Sequence, residues 1–226
     1  MLRSLFGILS RSRLAARLLF GLDLPPLPAG CHYFDVTTLA LARAAKTRLS
    51  DGDRVLDMGA GSVAILGLFA AHLGCEVTAT ELNEVIADQA RASIAADGAD
   101  IEVLCGPFFA NHAPHLDWVL FNPPYVPTES GLARGLPQEL RSQWDGGPNG
   151  TTVIAGFLDA LAQWEGAPRV LMGVNRRHVS RESVEALLDA HSAASLETVE
   201  SSLLGVDVYV FSTRKSPIAS ASSPQA

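Results

Sequence analysis

Asn122-Pro123-Pro124-Tyr125 is the stretch of this chain best equipped for chemistry. Two successive prolines stiffen the backbone and delete two N–H donors, so the local polar surface consists mostly of acceptors. The Asn122 side-chain oxygen and the Pro123 carbonyl can both accept hydrogens from one planar NH2 group, and Tyr125 can stack on the plane of that group. Such a set suits a flat nitrogen nucleophile, either a carboxamide or a nucleobase amine. An ordinary Pro-Pro turn after a strand is the structural alternative.

A second constellation lies some sixty residues upstream, where Asp57-Met58-Gly59-Ala60-Gly61-Ser62-Val63 reads as a strand running into a glycine turn and then a helix. Glycines let a ligand approach the backbone closely, and the helix start offers free N–H groups. Glu81, followed by Leu82, ends the next strand, where a carboxylate can accept both hydroxyls of a ribose. This geometry serves dinucleotides and S-adenosylmethionine alike. A dinucleotide fingerprint asks for a further glycine near Leu66, and Gly67 stands one position off. Asp57 would repel a pyrophosphate but suits the cationic methionine part of S-adenosylmethionine, which is therefore the expected cofactor. A tight strand-to-helix turn without a ligand is the alternative.

These residues need a scaffold, and the hydrophobic pattern supplies one. Strands are expected at 54–58, 76–80, 101–104, 117–121, 169–174, 196–200 and 206–212, with helices at 36–49, 63–73, 83–96, 151–164 and 180–190. Strands alternating with helices of ten or more residues make right-handed crossovers and a parallel sheet. The expected class is α/β, a doubly wound, Rossmann-like, mostly parallel sheet of seven strands. Ahead of it, Leu2, Leu5, Phe6, Leu9, Leu14, Leu18 and Leu22 recur at helical spacing among four arginines. The expected division is a basic amphipathic helix with a Pro-rich linker over 1–30, the catalytic domain over 31–213, and a disordered tail over 214–226. Such a helix could lie on a membrane or act as a targeting peptide; the expected reading is that it packs on its own domain or on a substrate, and that deletion of residues 1–28 leaves the domain folded while turnover suffers more than stability.

Composition narrows the function classes. The formal net charge of −7 makes most of the surface repel a phosphate backbone. The first thirty residues carry +3, so the remainder sits at −10. Arg134, Arg141, Arg169, Arg176, Arg177 and Arg181 gather after the proline loop, either as a local basic rim or as a solvated face. Three cysteines, Cys31, Cys75 and Cys105, without CxxC spacing point to a reducing compartment and a cytoplasmic location. His112 and His115 lack the neighbours of a metal site, so no metal is expected. No run approaches the ~18 apolar residues of a membrane span.

Together, Asp57 to Gly61, Glu81 and Asn122 to Tyr125 resemble the HemK/PrmC type of S-adenosylmethionine-dependent methyltransferases, and Trp144-Asp145-Gly146-Gly147-Pro148-Asn149-Gly150 resembles that family's Gly-Gly-x-x-Gly segment. The resemblance spans roughly residues 33–175. It implies the class I methyltransferase fold and methylation of a protein glutamine amide, as in translation release factors. It also implies cofactor contacts from Gly59 to Val63, Glu81 and Leu82 at the ribose, Phe108 at the adenine, and an amide substrate held by Asn122 to Tyr125. The short branch of the family works with a small zinc-binding activator subunit, which becomes an expected partner. The chain departs from the pattern at Val63, where a third glycine is usual. It departs again at Pro107, in place of an acid facing the adenine amine, and at Thr37 or Thr38, in place of an acid in the helix before the first strand. The competing readings are methylation of a nucleobase amine in RNA or DNA, methylation of a small molecule, and a degenerate scaffold without activity.

Overall fold

The computed structural model describes residues 7–27, 32–109, 115–191 and 194–213. Seven strands form one sheet: β1 (Arg54–Met58), β2 (Glu76–Glu81), β3 (Ile101–Cys105), β4 (Trp118–Phe121), β5 (Arg169–Asn175), β6 (Ala194–Ser201) and β7 (Val206–Thr213). They lie in the order β3-β2-β1-β4-β5-β7-β6. The first five in that row are parallel, and β7 runs antiparallel to both β5 and β6. The doubly wound α/β class and the mostly parallel seven-stranded sheet are thus observed.

Central strands buried on both faces should be apolar without alternation; β4 follows that rule, and β1 follows it except at exposed Arg54 and at the buried site residue Asp57. One face of the sheet packs Val55, Leu120 and Leu171 against α2 (Val36–Lys46), α3 (Ile65–His72) and α4 (Glu84–Asp97). The other packs Leu56, Val119, Met172 and Tyr209 against α7 (Thr152–Gln163) and α8 (Arg181–Ala190). Local signals set the helix ends. Asp35 caps α2 in a reciprocal capping box with Thr38, Asn83 caps α4 as expected, and Gly98 closes α4 at φ 82°. Residues 122–150, expected as a loop, contain α5 (Thr128–Ala133), a 3-10 turn (Gln138–Leu140) and α6 (Arg141–Trp144). These pieces are too short and too interrupted by Gly and Pro for periodicity to reveal them.

The N-terminal segment departs from expectation. In α1 (Arg13–Phe20), Ala15, Ala16 and Phe20 are the residues turned to the core, while Leu9, Leu14 and Leu18 are exposed. Phe20 fills a slot between Phe34 and Phe69, with ring centroids 5.2 and 6.1 Å away. Small alanines let the helix approach closely, so the inward face is the alanine face and the leucines look out. The chain after the helix is also anchored, because Leu22, read with the helix, and Leu24, read with the linker, are fully buried in the same cluster as Val55. Leu2, Leu5, Phe6 and the tail 214–226 lie outside the described residues.

Candidate active site

In an open α/β sheet a ligand binds beyond the carboxyl ends of the strands, where the strand order reverses. Here that point lies between β1 and β4. Register places Asp57 beside Ala79, Met58 beside Phe121, and Glu81 beside Cys105. Asp57, Glu81 and Asn122 therefore meet at neighbouring strand ends, around a cavity of about 530 Å³. The volume is in the range of small-molecule sites, on the order of 300–1,000 Å³.

The glycine turn forms its floor. Gly59 and Gly61 have φ of 66° and 63°, which side chains avoid, and Ala64 is also left-handed at φ 51°. Asp57 is buried, and its Oδ2 accepts from the Gly67 N–H at 2.8 Å. A Cβ on Gly67 would stand 3.1 Å from that oxygen, so glycine is what admits the carboxylate. Burial pushes the Asp57 carboxyl up to about 7, partly opposed by the Gly67 N–H and reinforced by the nearby charge of Glu81. Ala60, Ser62 and the buried Val63 complete this wall.

Glu81 is buried and holds the turn from the far side. Its Oε2 accepts from the Gly61 N–H at 3.0 Å and its Oε1 from the Asn83 N–H at 3.1 Å. Burial raises its carboxyl above the usual range, against the backbone amides of Asn83, Gly61 and Leu82, which lower it. Each oxygen keeps a second lone pair, enough for a diol. Thr80, one residue earlier, presents a buried Oγ1 without a partner among the described residues, and Thr80 too lines the cavity. Leu82 and Phe108 border the opening, and Phe108 sits in the left-handed region at φ 49°, its ring 6.2 Å from that of Phe157. A strained non-glycine at a cavity wall is the sort of cost a fold tolerates where it positions something.

Asn122 lines the cavity opposite the turn. Its Nδ2 makes long donor contacts to Asp35 Oδ1 at 3.4 Å and Thr38 Oγ1 at 3.5 Å, and no hydrogen bond occupies its oxygen among the described residues. Asp35 is itself held by the Thr38 N–H and hydroxyl, at 2.6 and 2.8 Å. Pro124 joins the wall, whereas Pro123 and Tyr125 are buried behind it. Tyr125, expected as a stacking surface, bonds through its hydroxyl to buried Thr37 Oγ1 at 2.6 Å, and its ring lies 5.8 Å from His178. Burial, with the charge of Asp35, raises the phenol well above its ordinary value. The loop is clamped from outside as well. Val126 N–H donates to Trp144 O and Gly146 N–H to Val126 O, both at 2.9 Å.

Most of the arginines expected as a basic rim are spent in ion pairs. Arg169 pairs with Glu197 and lies 4.4 Å from the Trp118 ring, and Arg141 pairs with Asp145. Arg176 and Arg181 share Asp207, which is fully buried. Against its burial, Arg181, Ser201 and Arg176 hold that carboxyl below the usual range. Arg134 sits 3.4 Å from His178 Nε2. Among the described residues no group of three or more His, Cys, Asp or Glu could hold a metal ion. Cys31 and His112 lie outside them.

Sequence reasoning missed Asp35, although an Asp directly before a predicted helix is a cap signal. It also passed over the purpose of Gly67, which only the position of the Asp57 carboxylate reveals.

The donor set suits S-adenosylmethionine. Two buried carboxylates face a cavity with apolar walls, one beside a glycine turn and the other placed for a diol, and Thr80 lines the same cavity. Comparison with known proteins agrees. Residues 30–135 match the model of the methyltransferase small domain family. A release factor glutamine methyltransferase of Deinococcus radiodurans is 41% identical over 76 residues, 33% of this chain, and the chain covers only 27% of that relative. A tRNA1(Val) (adenine(37)-N6)-methyltransferase of Shewanella amazonensis is 27% identical over 184 residues, 76% of this chain and 74% of the relative. Among solved structures, the E. cuniculi Mtq2–Trm112 complex, responsible for the methylation of the eRF1 translation termination factor, superposes with a TM-score of 0.57. It is 22% identical, over 81% of this chain and 97% of that one. S-adenosylmethionine is the cofactor that these likenesses imply. By sequence match over residues 30–135 and by fold, the chain is similar to S-adenosylmethionine-dependent methyltransferases.

Proposed function

We propose that the protein is an S-adenosylmethionine-dependent methyltransferase acting on a planar nitrogen, with a protein glutamine amide as acceptor. The observation that carries this reading is Asn122, whose NH2 is engaged by Asp35 and Thr38 while its oxygen stays available at the cavity wall. The cofactor supplies an electrophilic methyl group on a cationic sulfur. Asp57 and Glu81 bind its charged and ribose portions. The Asn122 oxygen accepts from the acceptor NH2, holds its nitrogen in line with the methyl, and stabilises the positive charge that develops there, while Pro123, buried behind the wall, stiffens the loop. As the nitrogen–methyl bond forms, the methyl–sulfur bond would break with its electron pair going to sulfur, leaving a neutral thioether, and the nitrogen would then lose a proton to water, so this account asks for no general base. Tyr125 takes a buttressing role in this account, through its bond to Thr37.

A nucleobase amine is the second reading, favoured by the length of the match to the tRNA adenine methyltransferase. The net charge of −7 and the ion-paired arginines support the protein acceptor over it. A small zinc-binding activator subunit belongs to the proposal through the family resemblance, and a cytoplasmic location through the unpaired cysteine spacing. The test is incubation of cell extract with methyl-labelled cofactor, followed by separate nuclease and protease digestion. Label released as methylated glutamine supports the proposal, and label released with nucleotides transfers it to the second reading.

A further inference from the structure

The N-terminal helix has two faces with opposite fates. Ala15, Ala16 and Phe20 are locked into the core, so the helix cannot rotate. Its outer face is then committed to water: Leu14 and Leu18 are 65% and 77% exposed, and Ile8, just before the helix, is 66% exposed. Leu14 and Leu18 are four residues apart and form one row, and Arg13 and Arg17 form a second row beside it. Single exposed leucines need no explanation, but a contiguous apolar row flanked by cations does.

Charge indicates what covers it. Segment 1–30 carries +3 on a chain whose remainder is −10. Arg13 and Arg17 share the one acid of that segment, Asp23, at 3.4 and 3.8 Å, and all three remain more than half exposed. A second copy meeting this face through a two-fold axis would set cations against cations. A nucleic acid would satisfy the arginines and leave the leucines wet. A surface with anionic headgroups above an acyl layer satisfies both rows together.

We propose that the outer face of residues 8–19 is a docking surface for an anionic lipid bilayer. Leu14 and Leu18 enter the boundary between headgroups and acyl chains, and the guanidinium groups of Arg13 and Arg17 stay at headgroup level. The helix lies in the plane of the surface. Among the described residues no helix is long and apolar enough to cross a membrane.

The full chain is sedimented with vesicles of phosphatidylglycerol mixed with phosphatidylcholine, and with vesicles of phosphatidylcholine alone. The protein should pellet with the first and stay in the supernatant with the second, and raising the salt to about 0.5 M should release it. Leu14→Asp with Leu18→Asp should lower partitioning more than tenfold, and each of Arg13→Gln and Arg17→Gln should lower it about fivefold. These side chains are exposed, so the variants should melt with the wild type. Equal binding to both vesicles, binding to neither, or a leucine-dependent dimer in gel filtration without lipid would overturn the proposal.

Discussion

Gly146 lies so close to Tyr125 that a Cβ on the glycine would stand 2.7 Å from the Tyr125 Cα and 2.6 Å from the Gly150 carbonyl oxygen. The absence of a side chain at 146 is therefore what lets the segment after α6 press on the proline loop. Gly150 makes a similar approach, with a Cβ 2.4 Å from Tyr125 O, at a φ of 77°. Gly146→Ala must push the two backbones apart. The expected result is a folded protein whose methyl transfer falls at least tenfold with cofactor affinity nearly unchanged, as read by single-turnover kinetics and calorimetry.

Asn122→Ala removes the proposed acceptor oxygen and frees Asp35 and Thr38. Loss of one preorganised contact costs about 10²–10³ in rate. Methyl transfer should drop by that factor while the dissociation constant of the cofactor moves by less than about threefold. A near-normal rate in single turnover would remove this loop from the chemistry.

Glu81 has two duties, since it holds the Gly61 N–H and, in the proposal, the ribose. A charge-assisted hydrogen bond contributes about 1.5–3 kcal/mol. Glu81→Ala should weaken cofactor binding roughly ten- to a hundredfold by calorimetry. Glu81→Gln, which keeps one acceptor for the turn, should lose less.

Asp57 gives the site a pH dependence with a defined sign. Its carboxyl is raised to about 7 in the folded chain. The folded state thus binds this proton more tightly than the unfolded state, where the value is about 3.9. Stability from this group is fully present below about pH 4 and lost as pH rises to about 7, on the order of 4 kcal/mol in all. A cationic cofactor prefers the ionised form, which grows from about a tenth to about nine-tenths between pH 6 and 8. Affinity should rise about tenfold over that interval, and the rise should vanish in Asp57→Asn.

Tyr125→Phe tests the buttress. It leaves the Thr37 hydroxyl without its partner in a fully buried position. The expected loss is about 1–3 kcal/mol of stability, seen as a lower midpoint in urea. Replacing Thr37 by Val in the same protein should recover part of it, because both polar groups are then gone.

The sheet, its strand boundaries and the meeting of Asp57, Glu81 and Asn122 were legible because buried parallel strands and glycine turns carry local signals. The roles of Tyr125 and of the first helix were not. A tyrosine after two prolines looks the same whether its ring faces a ligand or its hydroxyl finds Thr37, which is 88 positions away. In α1, leucines outnumber alanines, and hydrophobicity alone selects the wrong face. The space between Phe34 and Phe69 decides it, and that space belongs to tertiary structure. Deletion of residues 1–28, expected from sequence to leave the domain folded and to lower turnover more than stability, removes Phe20, Leu22 and Leu24 from the core. Phe20→Ala alone should cost about 3–5 kcal/mol.

The last strand has a consequence for biosynthesis. β7 is inserted between β5 and β6, so a nascent chain that has reached residue 201 carries β6 without the strand that joins it to the sheet. Until Val206–Thr213 is made, the β5 edge is open, and Tyr209 and Phe211 are missing from the cluster around Phe157. An open, apolar edge is a template for intermolecular pairing. A ribosome that stalls or stops between residues 201 and 206 would then release an aggregation-prone chain, although every residue of the cofactor site had already been translated.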